Sequence, residues 1–504
     1  MIMRHELNIN NAATRVVTKK WGRMSGNNIA EYINLGGFSG LEKVLKLKPE
    51  DVIKQIEVSR LRGKGGAGYP AGLKWRCCAG QTGEKYIVSN FSNCDNNNMI
   101  VNAMIHNDVY SAVEGIMIAG YAIGADSGII FLRNTQAVEY NIISEALEQM
   151  RSSKILGKGI LKSDFQFDIQ VVMGKNNAEK GQEIIILRSL EGLSPVTVCN
   201  RPHAAEAGLN GKPTLYHSME TLASVPAILE EGYIETKIVQ LVDTENDITL
   251  ITEVAIGSSI GDVLERAGIP TEGIKAFSFG ESMGAIFPPD RLGILLDFDG
   301  INNAGGAFGN AVIRILREKE CLVDSVMHCY EVSSVECCGR CVFGRMGTAQ
   351  IYETLKDITK KRGKVDDLDC MREIAEAMLL VSSCNQGKCA AQMILSVLDF
   401  FQNEFDMHIR RKTCEAQVCK GYRSYYISPE ACDGCGKCLA KCQRDAIEGE
   451  DDYIHVIVQD MCDSCADCVS VCPNKAIRIV GESTPKIPDS PIPVGSWKQS
   501  RRRR

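Results

Sequence analysis

The sequence lacks an apolar run long enough to cross a membrane. The best candidate, 116–123, is soon followed by Asp126 and falls short of the roughly 18 residues that a membrane span needs. The first ten residues contain no apolar core of the kind found in a secretory signal. We therefore expect a cytoplasmic protein with no transmembrane segment.

An excess of basic charge is also missing. The chain has 57 Lys and Arg against 63 Asp and Glu, a formal net charge of −6, so nucleic acid is not expected to be its main partner. Hydrophobic residues make up 44% and charged residues 24% of the 504 positions, which is typical of a globular protein. The length predicts three or four domains.

Cysteine is abundant, with 22 residues. In a small secreted protein such a number would indicate disulfides, but eight of these cysteines form two runs of the spacing C-x2-C-x2-C-x3-C. Bacterial-type ferredoxins hold two [4Fe–4S] clusters with this spacing, and the fourth cysteine of each run crosses to the other cluster. A zinc site is the alternative, although it would not need matching third and fourth cysteines. The predicted cluster ligands are Cys432, Cys435, Cys438, Cys442, Cys462, Cys465, Cys468 and Cys472.

A glycine-rich loop lies at 61–75, with the sequence LRGKGGAGYPAGLKW. Glycines allow backbone N–H groups to approach a phosphate closely, and a following lysine adds positive charge. A flexible hinge or a tight turn would explain the glycines equally well. The phosphate-binding hypothesis assigns the loop to nucleotide binding through Gly63, Gly65, Gly66, Gly68 and Lys74.

The rest of the chain changes pattern along its length. From 85 to 226, the short apolar runs YIVSN, GIIFL and IQVVM alternate with helical segments, as in an α/β domain. From 235 to 317, strand-like runs (KIVQLV, ITLITEVAIG, GILLDFDG) and the helical segment SIGDVLERAG predict a small ubiquitin-like roll. From 336 to 406, apolar residues recur at three- and four-residue steps, which predicts a helical bundle.

Several segments, in order, resemble one known family. They are RGKGGAGYPAGLKW, EGIMIAGYAIGA, SLEG, GLNGKPTLYHSMETLASVP, ECCGRC and SSCNQG. The chain resembles the NADH-binding, FMN-containing subunit of respiratory complex I, and its ferredoxin-like cysteines resemble those of the hydrogenase-type branch. The resemblance implies FMN and a third [4Fe–4S] cluster as further cofactors and NAD(H) as the two-electron partner. It also implies partner subunits: a [2Fe–2S] thioredoxin-like subunit, a hydrogenase or dehydrogenase catalytic subunit, and ferredoxin.

The implied fold class is multidomain α/β. It combines an FMN-binding α/β domain, a ubiquitin-like β-grasp (SLBB) module, a helical-bundle iron–sulfur domain and a bacterial ferredoxin-like α+β domain. The expected boundaries are an N-terminal helical segment at 1–55, the FMN domain at 56–234, the β-grasp module at 235–330, the helical domain at 331–410, the ferredoxin domain at 411–480 and a disordered tail at 481–504.

The flavin and nicotinamide pocket departs from the family pattern. The family's N-A-D-E-G-E-P aligns with 90–96, where Asn90 and one carboxylate, Asp95, remain. The family's Y-x-C-G-E-E-T aligns with 178–184, which keeps Glu183 but has Gln182 in place of an acid. The resemblance therefore implies an intact flavin site, with Asn90, Asp95 and Glu183 among its ligands, and a nicotinamide site that is rebuilt or lost.

The helical-domain cluster is also altered. The family pattern C-G-x-C-x-x-C with one distant cysteine gives Cys338, Cys341 and Cys384 as ligands, but Gly344 occupies the third place. Either Cys337 or Cys389 could complete the set, and a purely structural helix pair without a cluster is the alternative.

Two further cysteines, Cys414 and Cys419, lie between the helical and ferredoxin segments, with His408 nearby. They predict either a zinc or linker-cluster site or simply two packed thiols.

Two functions follow from these patterns. The first is an iron–sulfur flavoprotein subunit, an NADH dehydrogenase-type enzyme that passes electrons between NAD(H), FMN and [4Fe–4S] clusters. The second is a diverged, non-catalytic subunit that conducts electrons between partners without binding NAD(H).

Overall fold

The computed structural model describes residues 14–93, 98–175, 181–199, 201–230, 232–306, 308–480 and 486–497. The chain forms two compact units. The first comprises the described parts of 1–318 with 328–352 and 370–401, and the second comprises 319–327, 353–369 and the described parts of 402–504. No described helix is both long enough and apolar enough to span a membrane.

The first unit opens with a parallel four-stranded sheet and its helices. The strands are β1 (Tyr86–Asn90), β2 (Ser127–Leu132), β3 (Asp168–Met173) and β4 (Thr214–Ser218), in the order β3-β2-β1-β4. The helices are α1 (Ile29–Asn34), α2 (Ser39–Val44), α3 (Pro49–Val58), α4 (Ala71–Ala79), α5 (Ile100–Ile123), α6 (Ala137–Ser152), α7 (Glu183–Leu190), α8 (Ala204–Ala207), α9 (Met219–Ala223) and α10 (Val225–Ile228). The apolar runs YIVSN, GIIFL and IQVVM therefore fall in β1, β2 and β3.

Helix α5 is the buried centre of this part of the core. A Cβ at Gly115 would lie 1.9 Å from the carbonyl oxygen of Leu222, so a glycine is needed for α5 to approach α9. The neighbouring Glu114 is buried, and its carboxylate accepts hydrogen bonds from the backbone N–H groups of Phe38 and Leu41 at 2.9 and 3.0 Å. Phe38 has no side-chain cap, so Glu114 satisfies the amides at the start of α2.

A second, mixed sheet follows in the same unit. Its strands are β5 (Thr236–Asp243), β6 (Ile248–Ala255), β7 (Ile274–Phe279), β8 (Ile286–Phe287) and β9 (Val312–Arg317), in the order β6-β5-β9-β7-β8, with helices α11 (Ile260–Arg266) and α12 (Phe298–Asn303). Strand β5 pairs antiparallel with β6 and parallel with β9.

The prediction of a strand at GILLDFDG was wrong. This segment contributes a single bridge between Leu295 and Ser259 and then enters α12. Asp297 begins the helix because its side chain accepts the N–H of Gly300 at 2.6 Å. Helix capping thus overrides the extended preference of the apolar residues before it.

The helical segment contains five helices: α13 (Leu322–Val335), α14 (Thr348–Thr359), α15 (Asp366–Val381), α16 (Asn385–Phe400) and α17 (Gln402–Ile409). A π-helical turn, Phe343–Gly347, precedes α14. Within α14, Ile351, Leu355 and Ile358 are fully buried, as their three- and four-residue spacing predicts.

The second unit contains the ferredoxin-like segment. Its elements are β10 (Tyr425–Ile427), α18 (Lys437–Lys441), β11 (Ile447–Glu448), β12 (Tyr453–Ile454), β13 (Val456–Ile457), α19 (Asp467–Val471), β14 (Ile477–Ile479) and β15 (Ile492–Pro493). Strand β10 pairs with β14, β11 with β13 and β12 with β15, all antiparallel. The tail was expected to be disordered from 481 onward, but 486–497 includes a strand paired to the ferredoxin segment.

Candidate functional site: a strand-end cleft and three groups of thiols

The glycine-rich loop closes on itself between α3 and α4. The N–H of Gly63 donates to the carbonyl of Tyr69 at 2.9 Å, and the N–H of Ala71 donates to Leu61 at 2.8 Å. Gly66 has φ +125°, and a Cβ there would lie 3.4 Å from the Cα of Gly309. The loop amides from 65 to 68 take no part in the two closing hydrogen bonds. The phosphate-binding hypothesis assigns these amides, the glycine-rich cradle, to a ligand, and the φ of Gly66 is one that L side chains rarely adopt.

Lys74 and Glu183, both predicted to be site residues, contact each other. The Lys74 ammonium donates to Glu183 Oε2 at 2.6 Å and to the carbonyl of Tyr216 at 3.0 Å. Their side chains are only 11% and 25% exposed. The pair joins α4, the helix that follows the glycine-rich loop, to the first turn of α7. The loop and the 181–184 segment therefore lie together near the carboxyl ends of β1 and β4, a region called the strand-end cleft below.

Trp75 and His217 form a second contact across this cleft. The Trp75 indole N–H donates to His217 Nε2 at 3.0 Å. Burial, and then the positive charge of Lys74, hold the pKa of His217 well below its usual range. His217 is therefore neutral, and its Nε2 is free to accept the hydrogen bond.

The carboxyl end of β1 supplies the remaining predicted ligand, Asn90. Its Oδ1 accepts hydrogen bonds from both the N–H and the hydroxyl of Ser92, at 3.0 and 2.5 Å. A Cβ at Gly181 would lie 3.9 Å from Asn90 Nδ2, so the 181–184 segment faces this strand end. Asp95 lies outside the described residues. The carboxyl ends of parallel strands are where α/β sheets bind nucleotides.

The eight ferredoxin-like cysteines line two cavities. One is lined by Cys462, Cys465 and Cys468 together with Cys442 of the first run. The other is lined by Cys432, Cys435 and Cys438 together with Cys472 of the second run. Each cavity thus has three thiols from one run and the fourth from the other, as the crossing arrangement predicts.

Backbone amides support these thiols. The N–H of Ala446 donates to Cys442 Sγ at 3.4 Å, and the N–H of Ala476 donates to Cys472 Sγ at 3.3 Å. Burial raises the pKa of Cys438 and of Cys468 to about 11. A raised pKa keeps these thiols protonated at neutral pH, so ligation of a metal would have to displace their protons.

A second group of thiols gathers in the first unit, at the end of α13 and the start of α16. Cys338 Sγ lies 3.7 Å from the hydroxyl of Thr197. Cys384 is the residue that precedes α16, and it accepts the N–H of Gly387. Burial raises the pKa of the Cys384 thiol, and the nearby charges of Cys338 and Cys341, the other two predicted ligands, raise it further.

A third group lies in the second unit and contains a residue that the sequence analysis missed. Cys321, His408, Cys414 and Cys419 are all buried, and their ligand atoms lie within 4.8 Å of one another. His408 Nε2 is 3.3 Å from Cys321 Sγ and 3.5 Å from Cys419 Sγ. His408 Nδ1 donates to the Glu404 carbonyl at 2.7 Å, which leaves Nε2 as the ligand atom.

Cys321 had no local signal in the sequence. It precedes His408 by 87 residues and belongs to no motif with it. Tetrahedral Zn²⁺ holds sulfur ligands at about 2.3 Å, which places them about 3.8 Å apart. The Cys321 and Cys419 sulfurs, at 3.5 Å, are therefore spaced for a single ion.

Three family models match the chain. They are the Nuo51 FMN-binding domain over 56–227, the NADH-ubiquinone oxidoreductase-F iron–sulfur binding region over 324–408 and a 4Fe-4S dicluster domain over 424–488. The NADP-reducing hydrogenase subunit HndC of Solidesulfovibrio fructosivorans is 32% identical over 88% of this chain and 93% of that protein. This chain belongs to the family of 51-kDa flavin and iron–sulfur subunits.

A further relative and one solved structure are also similar to this chain. The F subunit of the NADH-quinone oxidoreductase from Streptomyces coelicolor is 30% identical over 79% of this chain and 92% of that protein. The crystal structure of an NAD⁺-reducing [NiFe]-hydrogenase in the H2-reduced state has the same fold over 73% of this chain, with a TM-score of 0.64 at 23% identity. This chain spans 64% of that solved chain.

FMN and [4Fe–4S] clusters are the cofactors of this 51-kDa family member. The cleft residues fit FMN because buried polar atoms at the end of β1, Ser89 Oγ and Asn93 Oδ1, have no hydrogen-bond partner among the described residues. The glycine-rich cradle lies within the matched FMN-binding region, and the thiol-lined cavities lie within the matched dicluster region.

Proposed function

We propose that this chain carries electrons between FMN in the strand-end cleft and the [4Fe–4S] clusters held by its cysteines. FMN, when bound, supplies the exchange between two-electron and one-electron chemistry, and the protein positions and tunes the redox centres. The observation that carries the proposal is the pair of cysteine-lined cavities. Each offers four thiols in the crossed arrangement that two cubane clusters need.

A nicotinamide nucleotide is the proposed two-electron partner, with weakened binding. The names of the relatives, which include an NADP-reducing hydrogenase and an NADH-quinone oxidoreductase, support the nucleotide. The described cleft offers few carboxylates for its ribose hydroxyls. Ser92 is folded back onto Asn90, and Glu183 is paired with Lys74. A paired carboxylate has less capacity to accept a further charged hydrogen bond.

The second candidate function is that of an electron-conducting subunit without nucleotide chemistry. The neutral side chains at Ser92, Asn93 and Gln182 favour it, because each stands where the family pattern has an acid. In this case, the flavin would exchange electrons only with the clusters.

The proposed partners are other redox subunits: a [2Fe–2S] thioredoxin-like subunit, a hydrogenase or dehydrogenase catalytic subunit, and ferredoxin. Relatives that are subunits of hydrogenases and quinone oxidoreductases support this assignment. We also infer that the five-stranded sheet is a ubiquitin-like β-grasp module, because its parallel central pair β5 and β9 is flanked by antiparallel neighbours. The proposed location remains the cytoplasm.

We further infer that the Cys321, His408, Cys414 and Cys419 group binds one structural Zn²⁺ ion. Three thiols and one imidazole, all buried and with a carbonyl orienting the imidazole, match the closed ligand set of structural zinc. The short separations between ligand atoms favour a single ion over a cubane cluster. The site would fasten the start of α13 to the 408–419 segment within the second unit.

The experiment that tests the main proposal is a reductive titration of the anaerobically purified full chain. Flavin absorbance is followed during additions of NADH, NADPH, reduced ferredoxin and dithionite in parallel. We expect complete reduction by dithionite and ferredoxin and slow reduction by the nucleotides. Absence of both flavin and iron from the purified chain would contradict the proposal, and reduction by ferredoxin alone would favour the second candidate.

A further inference from the structure

The third ligand position of the helical-domain cluster is occupied by glycine, and the structure shows what surrounds it. Gly344 lies in the π-helical turn that precedes α14. A Cβ at this position would lie 2.7 Å from Cys341 Sγ and 3.8 Å from Cys337 Sγ. The space that a side chain at 344 would take is therefore already flanked by two thiols, one of which, Cys337, lies outside the family pattern.

Two cysteines compete to be the missing ligand, and their surroundings differ. The Cys337 sulfur lies 3.8 Å from the Cβ position at 344, where the family has its third ligand. Cys337 is thus close to the place at which a thiolate is missing, and it lies beside the ligand Cys341. Cys389 lies in α16, and none of its atoms is within 4 Å of the same Cβ position. Cys389 is therefore farther from the missing ligand's place than Cys337.

Polar groups around these thiols fit an anionic, sulfur-rich occupant. Ser382 Oγ and Gln386 Nε2, two residues to either side of Cys384, are buried and have no partner among the described residues. A Cβ on Gly387 would lie 2.6 Å from Ser382 Oγ and 3.7 Å from the Cα of Gly344, so this hydroxyl faces the glycine turn. Hydrogen-bond donors of this kind stabilise cluster sulfurs.

Gln182 is a further polar residue beside these thiols. Its side chain forms a hydrogen bond with Cys384, and the N–H groups of Gly387 and Gly339 donate to Cys384 and Cys337. An amide can donate to a thiolate, whereas an ionised glutamate at 182 could only accept. The loss of an acid at this position therefore suits thiolate ligation by Cys384.

We propose that Cys337 is the fourth thiolate of a [4Fe–4S] cluster held with Cys338, Cys341 and Cys384, in place of the residue at 344. This rests on the proposed electron-transfer function. The set needs four thiolates because each iron of a cubane takes one external ligand. Gly339, which lies between the adjacent pair and Cys341, has φ +74°, a backbone conformation that favours glycine.

The test compares Cys337→Ala with the matched control Cys389→Ala in the full chain, purified and reconstituted anaerobically. Iron, sulfide and FMN contents are measured together with low-temperature EPR spectra before and after dithionite reduction. We expect about twelve irons per wild-type chain, from three cubanes of about four irons each. Cys337→Ala should lose at least one iron and at most four. Loss of a single iron would leave a [3Fe–4S] cluster, which gives an EPR signal in its oxidised state. Cys389→Ala should keep about twelve.

FMN content and the ferredoxin-type EPR signals separate this proposal from the general function. If both are unchanged in Cys337→Ala, the loss is local and the variant has folded. A wild-type chain with about eight irons, or an unchanged third cluster in Cys337→Ala, would overturn the proposal while leaving electron transfer by the other centres intact. Loss of the cluster in Cys389→Ala but not in Cys337→Ala would assign the ligand to Cys389 instead.

A second variant, Cys337→Ser, covers the case in which alanine prevents folding. An oxygen ligand at this position should shift the g values and the reduction potential of the third cluster or remove it. Spectra and potential identical to those of the wild type would overturn the proposal.

Discussion

The Lys74 ammonium lies 2.6 Å from Glu183 Oε2, and both side chains are largely buried in the strand-end cleft. The two residues come from the glycine-rich loop region and from the start of α7, segments separated by 109 positions. One consequence is that the Lys74 cation, which could bind a flavin phosphate, and the Glu183 carboxylate, which could bind a nucleotide, neutralise each other's charge. Any ligand that recruits one of them must compete with the other.

Removal of this cation should weaken flavin binding. In Lys74→Met we expect the Kd for FMN to rise by roughly tenfold to a hundredfold, because a charge-assisted hydrogen bond contributes about 1.5–3 kcal/mol. The Kd is measured by titrating FMN into the flavin-free chain and following flavin fluorescence. The matched control is Arg76→Met on the same helix, since Arg76 also pairs with a glutamate but is exposed. Equal affinities in wild type and Lys74→Met would exclude Lys74 from the flavin site.

The glycine-rich cradle should not tolerate a branched side chain. Gly66→Val places a branched side chain at φ +125°, a conformation that L residues rarely adopt, so the loop should change shape and no longer hold its amides for a phosphate. We expect release of FMN during gel filtration. Gly83→Val is the control, because Gly83 also has a positive φ, +89°, but nothing within 4 Å of its Cβ position. Full flavin retention in Gly66→Val would argue against the cradle.

Restoration of acids at the end of β1 should improve reduction by NADH. Ser92→Asp combined with Asn93→Glu supplies two carboxylates where ribose hydroxyls would be bound, each worth about 1.5–3 kcal/mol when desolvated. The rate of flavin bleaching by NADH should rise at least tenfold, while reduction by dithionite stays the same. Gln182 is left unchanged because of its hydrogen bond to Cys384. Rapid reduction of the unmodified chain by low-micromolar NADH would show that its nucleotide site is intact.

Crossed ligation in the ferredoxin segment can be tested with pairs of alanine variants. Cys442 and Cys465 line the same cavity, so Cys442→Ala with Cys465→Ala should damage one cluster and leave the other. Cys435 lines the other cavity, so Cys442→Ala with Cys435→Ala should damage both. Iron content and EPR spin counts distinguish the two pairs. If each run held its own cluster, the outcomes would be reversed.

The buried Cys3His group should carry zinc. Elemental analysis of the wild-type chain should find about one zinc atom, and Cys321→Ser should lose it and unfold at a lower temperature, because a structural ion contributes directly to folding free energy. Cys370→Ser, at an exposed cysteine, is the control. Iron in place of zinc, or unchanged zinc in Cys321→Ser, would contradict the assignment.

Features with a local cause could be predicted from the sequence. The ferredoxin cysteines follow one another at fixed short spacings. The three apolar runs fall in β1, β2 and β3 because the preference for a strand depends on consecutive residues. The glycine-rich loop is likewise a single continuous segment. The strand predicted at GILLDFDG did not form because a capping aspartate outweighs its apolar neighbours.

The tertiary structure decided which distant side chains meet. No spacing rule connects Cys321 with His408, Lys74 with Glu183, or the tail strand β15 with β12. The choice between Cys337 and Cys389 also needed the tertiary structure, because both lie near a ligand in sequence and only Cys337 lies within 4 Å of the Cβ position at 344. The sequence indicates local secondary structure and the residue types that can bind a metal or cofactor. Which of these residues contact each other depends on how the helices and strands between them pack.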